Sequence, residues 1–354
     1  MSVRVGINGF GRTGRAMLRA AHARGADIEW AGINDLMGAE MAARLLRRDS
    51  IYGAFPGTVE ATGSAIVVDG REIPVTTAPD PTAIPWADLG ADVVVESTGR
   101  FKTREAAAGH LLAGALKVIV SAPAADADVT LALGVNFDDV YDTRRHHVIS
   151  NASCTTNCLA PMAKLIHEEF GIRHGTMTTV HAYTGDQRLL DAPHEDARRA
   201  RAAALNLVPT TTGAARAVGL VVPELDGRLK GYAVRVPVPT ASLVDLTVEL
   251  DSTTSAQAIN AGVAERADRG RLAGIFGYSD EPLVSSDIVG SSYSGVFDAG
   301  LTSVVGGTQA KVVAWYDNEW GYSSRLAELV ERVLLPVAHP DAAPRRESLP
   351  TSRV

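Results

Sequence analysis

One cysteine in this chain stands where a thiol could act as a nucleophile. Cys154 lies in the run Ser150-Asn151-Ala152-Ser153-Cys154-Thr155-Thr156-Asn157-Cys158, where a short apolar strand over 147–150 turns into a helix over 155–170. The start of a helix carries unpaired backbone N–H groups and the positive end of the macrodipole. Both favour thiolate over thiol, and the thiolate is the form that adds to a carbonyl carbon. A small buried cysteine capping a core helix would read the same way locally. The choice between the two rests on what the rest of the chain builds around it.

The N-terminal half builds a dinucleotide site. Val3–Asn8 is a β-branched strand that runs into Gly9-Phe10-Gly11-Arg12-Thr13-Gly14, a G-x-G-x-x-G. A helix over 12–24 follows, with Thr13, Met17, Ala20 and Ala21 on one face and Gly25 as its stop. A second strand over 28–33 ends at Asn34-Asp35, an acidic residue about 20 positions past the glycines. Glycines let the backbone approach a pyrophosphate, which the helix N-terminus binds as an anion. Asp35 suits the adenosine ribose hydroxyls and would repel a 2′-phosphate, so the expected cofactor is NAD. Strands over 92–97 and 117–121 flank a helix over 103–113. Thr98-Gly99 and Ser121-Ala122-Pro123 end those strands in small polar residues, where an open parallel sheet places its ligand.

Past the cysteine helix the pattern changes to longer strands, over 175–183, 230–238, 242–250, near 296 and over 311–316, with a helix over 254–268. This mixture predicts a sheet with helices on one face. The fold class expected is α/β: a Rossmann dinucleotide-binding domain over 1–153 and an α+β catalytic domain with a mixed or antiparallel sheet over 154–320. A last helix over about 321–335 is expected to pack back onto the first domain, and 336–354 to be a mobile tail. The stretch 184–212 has little hydrophobic period, and loops of that length are functional or bound at an interface.

With 354 residues, 46% hydrophobic and 21% charged, the chain has a globular profile with room for two cores. It contains no apolar run long enough to span a bilayer, and Val3–Asn8 leaves no room for a leader, so no membrane partner is expected. The net charge is −7 without a basic stripe, which argues against nucleic acid. The dense patch Arg198-Arg199-Ala200-Arg201 reads as a solvated face or an interface. Two cysteines in one helix exclude a disulfide framework and point to a reducing cytoplasm. No metal is expected.

The ordered motifs resemble one family, phosphorylating glyceraldehyde-3-phosphate dehydrogenase. They are the run from Gly6 to Arg12, Val95 to Phe101, Ser121 to Pro123, Ser150 to Pro161, Thr179 to Thr184, Arg198 to Ala203, Pro209 to Ala215, Arg235 to Pro237 and Trp315 to Ser323. The likeness extends in order from residue 3 to about 335. It implies Cys154 as nucleophile and His181 as its acid/base partner, with Cys158 a packing residue. Ser153, Thr155, Thr212 and Gly213 match the family's inorganic-phosphate site, and Thr184 and Arg235 its site for the substrate's own phosphate. Gly9, Gly11, Arg12, Thr13, Gly14, Asp35 and Ser121 fall on NAD-contacting positions, and Asn318 on the residue that orients the nicotinamide. The implied substrates are glyceraldehyde 3-phosphate and inorganic phosphate, and the implied assembly is a homotetramer.

The chain departs from the family pattern in four places, one of them the extra tail after Pro336. Thr13 stands where Ile is usual, Pro79 where Arg commonly contacts the cofactor, and Ala192-Pro193 keeps a proline associated with NAD preference beside a smaller neighbour. Most of these motifs would also serve a sister enzyme of erythrose 4-phosphate, or a paralogue resistant to inhibitors of the thiol.

Overall fold

The computed structural model describes residues 2–124 and 126–335; the tail expected over 336–354 lies outside the described residues. The first sheet holds nine strands among the described residues. Its parallel centre runs Val148–Ser150, Lys117–Val120, Val93–Glu96, Val3–Asn8, Ile28–Asn34, Arg71–Thr76. The strands Val93–Glu96, Lys117–Val120 and Val148–Ser150 are buried on both faces, which is why they read as continuous apolar runs. An antiparallel meander, Val59–Thr62 and Ala65–Val68, extends the sheet beyond Arg71–Thr76. Its strands and the helix Gly38–Arg47 carry no motif and form no part of the sequence reading above.

The helix Arg12–Arg24 forms over the expected residues, and Gly25 closes it in the left-handed conformation (φ 63°). The expected helix over 103–113 is instead two short ones, Arg104–Ala107 and Gly109–Leu112, separated at Ala108. Gly109 sits against Pro81 and Thr82, where an added Cβ would come within 3.0 Å of the proline ring. The close approach accompanies the interruption.

The second sheet is mixed. Ile172–Ala182 pairs parallel to Leu229–Val236 and antiparallel to Ser242–Leu250, which pairs antiparallel to Gln309–Tyr316. Along Ser242–Leu250, burial alternates residue by residue, as expected of a sheet covered on one face. Cys154–Phe170, Ala214–Val221 and Ala256–Arg266 share the hydrophobic core on that covered face. The last helix, Trp320–Arg332, returns to the first sheet, where Tyr322, Leu326, Leu329 and Val330 join Val5, Met17 and Val93 in one cluster.

Candidate active site

Cys154 is placed by a turn that holds an unusual backbone. The strand Val148–Ser150 ends, Asn151 is fully buried, and Ala152 takes a left-handed φ of 53°. A non-glycine residue there stores about 1 kcal/mol or more, so other bonds must impose it. Tyr322 donates to the Ala152 carbonyl (3.2 Å), and Asn157 Nδ2 donates to the carbonyls of Asn151 and Ser153 (2.9 and 3.0 Å). Ser153 is the N-cap, its hydroxyl accepting from the Thr156 N–H at 3.0 Å. The helix therefore begins on Cys154, one residue earlier than expected.

His181 and Arg235 come from the second sheet, where the parallel register sets them directly opposite. His181 Nε2 lies 3.5 Å from Cys154 Sγ. On the other side of the ring, Nδ1 is 2.7 Å from the Ala182 carbonyl oxygen and 2.6 Å from Arg235 Nη1. Opposing effects act on the two groups. Burial pushes the Cys154 thiol up, against the pull of Arg235, the Thr155 hydroxyl and the backbone N–H groups. Burial and then Arg235 push the His181 imidazole down to about 3.

The Thr155 hydroxyl is buried and lies 2.8 Å from Tyr316 Oη, which in turn lies 2.9 Å from Thr179 Oγ1, and it stands 4.0 Å from Cys154 Sγ. Tyr316 also sets its ring edge-on to His181 at 5.9 Å. Asn318 is buried, with its Oδ1 accepting from Ser242 Oγ at 2.9 Å.

Two groups of anion-compatible residues border the recess. Thr184 donates its hydroxyl to Asp186, which is also paired with Arg199 at 2.7 Å. Arg199 further donates to Thr210 Oγ1 (2.9 Å) and the Thr211 carbonyl (3.3 Å). Thr212 Oγ1 accepts from the Ala214 N–H at 3.2 Å, and Gly213 caps the helix Ala214–Val221 with open space beside its Cα.

The dinucleotide cleft opens at the C-terminal edge of the first sheet, a space of about 220 Å³ lined by residues including Gly9, Gly11, Asp35, Pro79 and Thr98. Gly9 has φ 91°, and a Cβ there would strike the Thr98 nitrogen at 2.5 Å. A Cβ on Gly14 would strike the Gly9 carbonyl at 2.4 Å, whereas nothing stands within 4 Å of one built on Gly11. Asp35 accepts from the N–H of Phe10 (2.6 Å) and of Met37 (3.0 Å). Ser121 and Thr13 are half-buried beside the strand ends and the helix start. The Arg12 guanidinium is committed to Glu319 and to Asp49 (2.5 Å), while its backbone N–H stands at the helix start.

Two comparisons with known proteins bear on this arrangement. Residues 3–104 match the family model for the glyceraldehyde 3-phosphate dehydrogenase NAD binding domain, and residues 153–318 that for its C-terminal domain. The glyceraldehyde-3-phosphate dehydrogenase of Geobacillus stearothermophilus is 56% identical over 93% of this chain and 97% of its own length. Those of Streptomyces coelicolor (54%, covering 93% and 98%) and Mycolicibacterium smegmatis (56%, covering 94% and 99%) are similar. The chain belongs to the glyceraldehyde-3-phosphate dehydrogenase family.

Within this glyceraldehyde-3-phosphate dehydrogenase fold, the structure draws in residues that the sequence reading passed over. Arg199, one of a basic run taken for a solvated face or interface, is only a fifth exposed and pairs with Asp186. A buried relay under the cleft was also missed. Trp86 Nε1 donates to His110 Nδ1 (2.9 Å), which puts the ring hydrogen on Nε2, facing Glu96 Oε2 at 3.1 Å. Asn8 (2.5 Å) and the Thr98 N–H (2.8 Å) donate to the same carboxylate. Pro79 is exposed at the cleft rim and brings no cation there. No three His, Cys, Asp or Glu residues converge to hold a metal among the described residues, and no helix among them is long and apolar enough to cross a membrane.

Proposed function

We propose that this chain catalyses the NAD-dependent oxidative phosphorylation of D-glyceraldehyde 3-phosphate to 1,3-bisphosphoglycerate, with Cys154 as nucleophile and His181 as acid and base. The observation that carries the reading is the 3.5 Å approach of Sγ to Nε2 at a helix start, with the cationic Arg235 beside it. The name shared by the relatives supports the triose substrate over a tetrose.

The cleft fits the cofactor. The open face of Gly11 and the backbone N–H groups of Arg12 and Thr13 suit a pyrophosphate, while Gly9 and Gly14 let strand, loop and helix close up around it. Asp35 would hold the ribose, and Ser121 and Asn318 the nicotinamide end. When bound, NAD supplies a hydride acceptor. The Cys154 thiol gives its proton to His181 Nε2 as Sγ adds to the aldehyde carbon. The resulting oxyanion accepts hydrogen bonds from backbone N–H at the helix start and takes a proton from His181, giving a thiohemiacetal. His181 removes that hydroxyl proton as the carbon is oxidised, and Cys154 is left carrying a thioester. Inorganic phosphate at Ser153, Thr212 and Gly213 then attacks the thioester carbon, and the C–S bond breaks. Thr184 and Arg235 hold the substrate's own phosphate meanwhile. A steady-state comparison of glyceraldehyde 3-phosphate with erythrose 4-phosphate, with NAD and NADP, with and without phosphate, tests this. Higher efficiency with the tetrose, or turnover indifferent to phosphate, would refute it.

The two sheets support the division into domains at 1–153 and 154–320, with the last helix returned to the first. Homotetramer formation is supported by the 184–212 segment, whose Leu189, Leu190, Leu205 and Leu207 are 81%, 73%, 79% and 69% exposed. Solvated leucines at that density need a partner surface. Sedimentation decides it, since a stable, active monomer at dilute concentration removes the assembly. The two free cysteines suit a reducing cytoplasm.

A further inference from the structure

Four side chains form a polar row across the carboxyl edge of the first sheet. Glu96, Asn8, Asn34 and Thr76 are the last residues of four neighbouring parallel strands. The register sets Asn8 opposite both Glu96 and Asn34, and Asn34 opposite Thr76. Residues in register point to one face of a sheet, and here their side chains join. Asn8 Nδ2 donates to Glu96 Oε2 (2.5 Å), Asn34 Nδ2 to Asn8 Oδ1 (2.8 Å) and Thr76 Oγ1 to Asn34 Oδ1 (2.8 Å). Glu96, Asn8 and Asn34 are buried, and the two asparagines line the dinucleotide cleft.

The direction of each bond in the row is fixed from both ends. At one end the Asn34 amide clasps the backbone of Ala78: Oδ1 accepts the Ala78 N–H and Nδ2 donates to the Ala78 carbonyl, both at 2.9 Å. Peptide groups cannot exchange those roles. Asn34 therefore turns Nδ2 to Asn8, which must answer with Oδ1 and send its own Nδ2 to Glu96. At the other end Trp86 Nε1, which only donates, meets His110 Nδ1, so His110 also directs a hydrogen to Glu96 Oε2. Glu96 Oε1 accepts from the N–H and the hydroxyl of Thr98. Four donors converge on this one carboxylate, and none of them is a cation. The position demands a side chain that accepts at both atoms; an amide would turn a donor toward donors.

We infer that Glu96 is a positioning residue for the cofactor: by setting the direction of the row, it holds Thr98 on one side of the cleft and Ala78-Pro79 on the other at the spacing that the adenosine half of NAD requires. This rests on the reading of the cleft as the NAD site. Pro79 raises the importance of the row, because it brings neither a cation nor an N–H to its rim of the cleft. That rim serves the cofactor by its shape, and the Asn34 clasp on Ala78 sets the shape. None of the four residues in the row hydrogen-bonds to Cys154 or His181, so the effect falls on cofactor binding rather than on the thiol.

Glu96→Gln keeps the size of the side chain and sets an amide N–H against donors. The Kd for NAD, and for ADP-ribose, which lacks the nicotinamide, should rise about ten- to hundredfold, the effect of one buried polar group left unpaired. KM for NAD should rise with it. In contrast, kcat at saturating NAD, and the rate at which iodoacetamide alkylates Cys154 without cofactor, should stay within about twofold. Adding Asn8→Asp to Glu96→Gln moves the acceptor one link along the row: the new carboxylate takes the amide hydrogen from position 96 and still accepts from Asn34. The double variant should regain most of the lost affinity, which a general loss of stability would not allow. Asn8→Ala cuts the row in its middle and carries the test if Glu96→Gln does not fold. ADP-ribose binding should then weaken at least about fivefold, and peptides containing Ala78 and Thr98 should lose protection from hydrogen exchange together. ADP-ribose bound by Glu96→Gln or Asn8→Ala as tightly as by the unmodified protein overturns the inference, as does a double variant no tighter than Glu96→Gln. Failure of the unmodified protein to bind NAD is a different result, which removes the cofactor reading and the inference with it.

Discussion

Asp35→Asn tests the cofactor assignment with little change of shape. The carboxylate accepts the Phe10 N–H on one oxygen (2.6 Å) and the Met37 N–H on the other (3.0 Å), and it lines the cleft beside Gly9 and Pro79. A 2′-phosphate placed about 4 Å away would meet about 1 kcal/mol of repulsion per charge pair in water, and about 4 at an effective dielectric of 20. Asp35 is half-buried, so about 2–4 kcal/mol is reasonable, or roughly 30- to 700-fold in favour of NAD. The carboxylate's lone pairs toward the ribose add to that preference. An amide has one oxygen, so the substitution leaves one of the two backbone donors without an acceptor, at a cost of about 1 kcal/mol in stability. The ratio of kcat/KM for NADP over NAD should therefore rise at least about tenfold, with NAD use falling. The assay is steady-state kinetics with both cofactors at low and high salt. A pair this close is poorly screened, so the discrimination should persist at high salt. An unchanged ratio in the variant, or equal use of both cofactors by the unmodified protein, refutes the charge argument.

Cys154→Ser should abolish turnover, since an alcohol ionises far too little to form the acyl intermediate, while the fully buried Cys158→Ser should keep most of it; the reverse outcome in turnover assays removes the nucleophile assignment. Tyr316→Phe breaks both bonds of the buried hydroxyl chain, and should cost about 1–3 kcal/mol in thermal or chemical denaturation; no loss would mean that the two threonines re-pair. Asp49 is held below the usual carboxylate range: burial opposes this, but the N–H groups of Tyr52 and Ile51 and the Arg12 guanidinium outweigh it. Its folded-state pKa lies below its unfolded one, so its stabilisation is complete above about pH 4–5 and is lost as pH falls through the lowered value. Asp49→Asn should flatten that acid-side loss in a pH series of denaturation curves, and an unchanged slope would remove Asp49 from the titration.

The parts of this protein legible in its sequence are those whose causes are local. Glycines at 9 and 14 mark contacts where a Cβ would strike backbone, and the alternation along Ser242–Leu250 states its own burial. Cys154 was legible as a helix-start thiol for the same reason. The balance of effects at its sulfur was not: burial pushes the thiol up against Arg235, which a distant strand supplies. The strand Val208–Thr211 was absorbed into an expected long loop: it has no period of its own and gains its ladder from Leu229–Val236. Arg199 looked like one charge in a basic run because only that returning strand brings Thr210 to it. The partner of the Thr155 hydroxyl was not legible either, because Tyr316 reaches it from a strand far along the chain.

The segment from Asp317 to Trp320 carries this distinction furthest. As a string it identifies a family, but its physical role is to join the two halves of the molecule. Asp317 accepts from Tyr52 (2.9 Å), Thr240 (2.9 Å) and the Gly290 N–H (2.8 Å), as well as from the N–H groups of Glu319 and Trp320. Glu319 accepts from Nε and Nη2 of Arg12, the residue that begins the helix after the glycine turn. Asn318 sits between these two anchors, pinned by Ser242. The helix that follows the glycine turn and the Asn318 amide are thus fixed to a single turn of chain, so a substitution at Asp317 or Glu319 would loosen both at once.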